Sequence, residues 1–90
     1  MSKVFCGTPG PWVNNNGGVF TEDYAVGDEV FFDHICDCEV INGESHNAQL
    51  ISAAPEMLDL LVLLLDAQLL PEFHLNAANK VVAKALGKNL

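Results

Sequence analysis

Ninety residues, half of them apolar and 18% charged, make one small domain with a core and exclude a disordered or multidomain chain. Twelve acids against four lysines give a net charge of −8, which opposes nucleic acid and anionic membrane and favours basic protein partners. The longest apolar run, Leu60 to Leu65, is far short of the roughly 20 residues of a membrane span.

The start Met1-Ser2-Lys3-Val4 does not read as a signal peptide, and Cys6, Cys36 and Cys38 are an odd number. Reduced thiols in a cytoplasmic protein are therefore expected. The fold class expected over residues 1–90 is a single α+β domain. A short antiparallel β-meander of three to four strands, about 11–41, is followed by a helical hairpin whose first arm is split by a proline.

Gly7, Pro9, Gly10 and Pro11 exclude a helix and deliver the chain to Trp12-Val13, the first short strand. Asn14 to Gly18 is turn chemistry, because Asn and Gly tolerate positive φ, and Val19-Phe20-Thr21 returns as the second strand. Gly27-Asp28 marks another turn. Glu29 to Cys36 is rich in β-formers and reads as one strand, with a fourth at Cys38 to Ile41 before Asn42-Gly43. Trp12 reads as a core anchor, a surface hot spot being the alternative.

Ser45 is the expected N-cap of a helix over about 46–54, with Asn47, Leu50, Ile51 and Ala54 on one face. Asn47 on that apolar stripe is expected to bond to loop or strand backbone. Pro55 ends or kinks this helix and suits the first turn of the next, about 55–69. A third helix, about 71–86, turns Ala78, Val81, Val82, Ala85 and Leu86 inward and stops at Gly87.

The charge is uneven. Glu22, Asp23, Asp28, Glu29, Asp33, Asp37, Glu39 and Glu44 lie between Thr21 and Ser45 without one Lys or Arg, whereas Lys80, Lys84 and Lys88 close the chain. The second helix is apolar around most of its circumference, with Leu63 among Glu56, Asp59 and Asp66. Such a helix is central in its domain or at an interface. A homodimer is expected through Leu60, Leu63, Leu64 and Leu70, with helices packed antiparallel.

The order Gly10-Pro11-Trp12, acidic strands, Asn47-Ala48-Gln49-Leu50-Ile51-Ser52-Ala53-Ala54-Pro55-Glu56-Met57-Leu58 and Val82-Ala83-Lys84-Ala85-Leu86-Gly87 resembles a family of small phage and prophage accessory proteins. The similarity runs from about Thr8 to Gly87, and its specific part is the twelve-residue helical segment. The denser leucine run and the Cys-x-Cys pair depart from the pattern. The resemblance transfers no catalytic residue. What it implies is a small protein acting on host machinery, as unrelated phage proteins do when they block nucleases and other defence complexes, anti-CRISPR inhibitors among them. Some acidic examples imitate the DNA backbone.

His34-x-Cys36-x-Cys38 is the sharpest chemical constellation, with Cys6 and His46 available elsewhere. On a regular strand all three face one way but span about 13 Å, too wide for one metal unless the strand bulges. A Cys36 nucleophile beside His34 lacks an oxyanion motif and an orienting third group. No cofactor, metal or catalytic residue is expected. The leading function is non-enzymatic binding of a host protein with a basic surface, through Glu22, Asp23, Asp28, Glu29, Asp33, Asp37 and Glu39. Inhibition of a host defence nuclease complex by a DNA-mimicking face is its most specific form. The alternatives are a metal- or redox-responsive module using His34, Cys36 and Cys38, or a structural homo-oligomer.

Overall fold

The structure is a computed structural model that describes residues 5–87. Five short antiparallel strands precede three helices, the α+β class expected: β1 (Trp12–Asn15), β2 (Gly18–Thr21), β3 (Tyr24–Val26), β4 (Glu29–Phe31), β5 (His34–Asp37), α1 (His46–Ser52), α2 (Ala54–Asp66) and α3 (Glu72–Ala85). The chain divides into two compact units, one over 8–56 and one dominated by 57–90.

In the first unit the strands form two sheets. β1, β2 and β5 lie in that order, and β3 pairs only with β4. The long strand expected from Glu29 to Cys36 is broken at Phe32-Asp33, because Thr21 captures that point from both sides. The Thr21 amide donates to the Asp33 carbonyl (2.9 Å), and Thr21 Oγ1 accepts from the Asp33 amide (2.8 Å). Residues 22–32 are thereby tied off as a two-stranded ribbon inserted between β2 and β5. The fourth strand expected at Cys38 to Ile41 is reduced to a single bridge between Ile41 and Glu44.

The turns follow local chemistry. Asn16 (φ 51°) and Gly17 (φ 90°) form the two-residue link of β1 and β2, both in the left-handed region as a type I′ turn requires. Asn14 Oδ1 accepts from the Gly17 amide at 3.0 Å, and the Gly17 carbonyl accepts from the Cys38 amide at 2.8 Å. Gly17 is thus the point where the hairpin and the chain leaving β5 cross.

α1 packs on β1 and β2. Ser45 caps it as expected, its Oγ accepting from the Ala48 amide at 3.3 Å. The buried face differs from the expected one. Ala48 is fully buried against the sheet side that carries fully buried Val19, with Ile51 and Ser52 half-buried beside it. Asn47 and Leu50 are exposed, so the expected amide anchor is not made. Trp12, whose cross-strand partner is Thr21, lies on the same side of the sheet, half-buried with its indole Nε1 enclosed. Gly10 approaches the Pro55 ring so closely that a Cβ there would lie 2.7 Å from the Pro55 Cβ. The Gly-Pro-Trp segment and the Ala-Ala-Pro segment therefore meet.

In the second unit α2 and α3 form a hairpin. Leu65, Ala78 and Val82 are its buried centre, with Leu58, Leu61, Val62, Leu70, Leu75 and Leu86 packed around them. α2 ends at Asp66, three residues earlier than expected. Gln68 takes a left-handed φ of 56°, with Leu69 N–H donating to Leu64 C=O and Gln68 N–H to Leu65 C=O. That is a Schellman closure built on glutamine instead of the usual glycine. Gly87 (φ 74°) closes α3 as expected. Among the described residues no single helix is long and apolar enough to cross a membrane.

Candidate functional site

Nine of the twelve acids lie in the 8–56 unit, which contains no Lys or Arg, and the remaining three acids share the chain with all four lysines. The net negative charge is therefore carried by the strand-bearing unit alone. All seven carboxylates expected to bind a partner are exposed. They do not form one uniform face.

Three sit at the root of the ribbon. Glu22, Asp23 and Asp33, with Tyr24, border an open depression of about 320 Å³ walled on its other side by Thr8 to Pro11. Asp28 and Glu29 stand at the ribbon's tip, about 10 Å away for three residues of strand. Asp37, the last residue of β5, and Glu39 just after it lie apart from the ribbon, and Asp37 is engaged by His34 at 3.0 Å.

Every residue of β3 and β4 is exposed, including Tyr24, Val26, Val30 and Phe31. Tyr24 and Phe31 face each other across the ribbon with ring centroids 6.0 Å apart. Phe32, 58% exposed, meets the edge of Phe20 at 5.4 Å, and Phe20 contacts His34 on the sheet side opposite Val19. The carboxylates are thus interleaved with uncovered aromatic rings. Charge placement alone marked the acids. The aromatic half was hidden in the sequence, because Val30, Phe31 and Phe32 read as the centre of one continuous strand.

Tyr24 joins the two halves. Its hydroxyl donates to Asp33 Oδ1 at 3.3 Å, and its pKa is held above the ordinary 10.0 by desolvation first and by the Asp33 charge second. Asp33→Asn is expected to move it back toward 10.0. Because Tyr24 is the only tyrosine, an ultraviolet titration of phenolate formation reads it directly. Neutral Tyr24 is favoured in the folded state, so this contribution is complete below pH 10 and declines as pH rises through the folded-state value.

The His34, Cys36 and Cys38 constellation is taken apart by a bulge. Phe20 pairs with His34, but Val19 pairs with Cys36, leaving Ile35 extra on β5. Adjacent β2 residues face opposite ways, so His34 lies on the Phe20 side and Cys36 on the Val19 side. The expectation that these side chains share a face is overturned. Cys36 and Cys38 remain neighbours, Sγ to Sγ 4.0 Å, and burial foremost, then Cys38 and Asp37, pushes the Cys36 thiol up, away from the reactive thiolate. Among the described residues no group of three or more His, Cys, Asp and Glu side chains is arranged to hold a metal ion.

Of the leucines expected at an oligomer interface, Leu60 and Leu63 are exposed and Leu64 is half-buried. Leu70 instead packs into the hairpin core.

Residues 1–89, nearly the whole chain, match the family described as Salmonella phage P22 protein Y8K6. The chain belongs to that family. Neither a curated protein nor a solved structure matches it. Membership of the Y8K6 family makes this a small phage protein, as its resemblances implied.

Proposed function

We propose that this member of the Y8K6 family is a non-enzymatic accessory protein that binds a basic surface of a host protein through the 22–32 ribbon and its root. One observation carries the reading: four exposed carboxylates, with Asp33 at the root, lie along the same element as exposed Tyr24, Phe31 and Phe32. Specific protein interfaces combine aromatic anchors with complementary charge, whereas a solvated acidic face has no use for uncovered rings. In its most specific form the target is a host defence nuclease complex, and the ribbon enters the lysine- and arginine-lined groove that otherwise holds DNA.

The test is capture of the target from bacterial host lysate, followed by affinity measurement with a quadruple variant, Glu22→Lys, Asp23→Lys, Asp28→Lys and Glu29→Lys. Reversal of exposed interfacial charges is expected to weaken binding by at least about 100-fold while leaving the melting temperature within a few degrees. Tyr24→Ala is expected to weaken it separately, about tenfold. Unchanged affinity in both variants rejects the ribbon as the contact.

A further inference from the structure

The two helices of the 57–90 unit are apolar on more than the face that joins them. Setting successive α2 residues about 100° apart, the core stripe is Leu58, Leu61, Val62 and Leu65. Met57, Leu60 and Leu64 then lie on one flank of that stripe, and Asp59 and Asp66 on the other. The same construction on α3 sets Ala77, Val81 and Ala85, with exposed His74 in the first turn, on one flank of its buried stripe, and Asn76, Lys80 and buried Ala83 on the other. In an antiparallel hairpin of right-handed helices the two apolar flanks fall on the same broad side. Met57, Leu60 and Val81 are 42%, 55% and 54% exposed there.

We infer that this broad side is the contact between two copies of the chain, with α2 of one packed antiparallel on α3 of the other in a four-helix bundle. Two features select a second copy in that arrangement. The first is size: α2 offers the large Met57, Leu60 and Leu64, and α3 offers Ala77 and Ala85 around Val81, so large side chains meet small ones. α2 on α2 crowds large against large, and α3 on α3 leaves voids. The second is charge. Glu56, at the start of α2, and Lys84, at the end of α3, are exposed and have no ion-pair partner among the described residues. Both flank the apolar side at the same end of the hairpin. A two-fold axis along the helices sets Glu56 beside Lys84 of the partner subunit, and by symmetry repeats the pair. Leu63 lies outside this contact and Leu70 beneath it, so of the leucines expected at the interface only Leu60 and Leu64 belong to it. The contact is independent of the ribbon.

Sedimentation equilibrium on the full chain tests it. The wild type is expected at twice the 9.7 kDa chain mass at concentrations on the order of 100 µM. Leu60→Glu, at an exposed position that spares the hairpin core, is expected to weaken the dimer by about 100-fold. Glu56→Lys and Lys84→Glu are each expected to weaken it by about tenfold, and the double reversal to restore it to within about threefold of wild type. A monomeric wild type overturns the inference. So does a dimer indifferent to Leu60→Glu, or a double reversal no better than its parents, which assigns the face to a different partner or a different pairing.

Discussion

Replacing Gly17 with alanine is expected to destabilise the protein by about 3 kcal/mol, lowering its melting temperature by roughly 15 °C. Two costs coincide at this residue. Its φ of 90° is strained for any L side chain, and a Cβ there would lie 2.6 Å from Val40 Cγ2 and 2.8 Å from the Cys38 carbonyl oxygen. The carbonyl belongs to the segment whose amide donates to Gly17, so relieving the clash also lengthens that hydrogen bond. Gly43 is the internal control. It occupies the same second position of an Asn-Gly turn (φ 79°), but its added Cβ meets nothing within 4 Å. Gly43→Ala therefore carries only the conformational term, about 1 kcal/mol. Thermal unfolding followed on Trp12, the sole tryptophan and a reporter for the strand-bearing unit, measures both. Equal losses would mean that the approach of Val40 and Cys38 to Gly17 is not a constraint.

Leu65→Ala and Leu63→Ala are expected to differ by about 3 kcal/mol although the two residues are two positions apart in one leucine run. Leu65 is 5% exposed between Ala78 and Val82, and its truncation leaves a cavity that small neighbours cannot close, costing about 3 kcal/mol. Leu63 is 63% exposed and lies outside the proposed copy-to-copy contact, so its loss is expected to stay within about 0.5 kcal/mol. Denaturant unfolding read by helical circular dichroism, at one fixed protein concentration, separates them, since association would otherwise add to apparent stability. A comparable loss at Leu63 would mean that its face is covered.

The features legible in the sequence are those governed by neighbours along the chain. Asn16-Gly17 and Asn42-Gly43 turn because those residues tolerate positive φ. Ser45 caps α1 because its hydroxyl reaches the Ala48 amide, and Pro55 splits the helical arm because it lacks an amide proton. The acidic character of the strand-bearing unit, with the seven carboxylates from Glu22 to Glu39, was equally open to reading, as was membership of a small phage protein family.

What only the tertiary structure decided involves residues far apart in the chain. Glu29 to Cys36 has the composition of one strand, yet the Thr21 clasp on Asp33 divides it and turns Phe31 and Phe32 outward. A bulge at Ile35 separates His34 from Cys36, which no local signal announces. Asn47 was expected to face the sheet, yet it is exposed and Ala48 is the fully buried residue of α1. The composition determined by itself that this is a small acidic α+β protein, because charge and turn chemistry are local. Which side chains are buried against one another is a property of packing, and packing is where the acids acquired their aromatic companions.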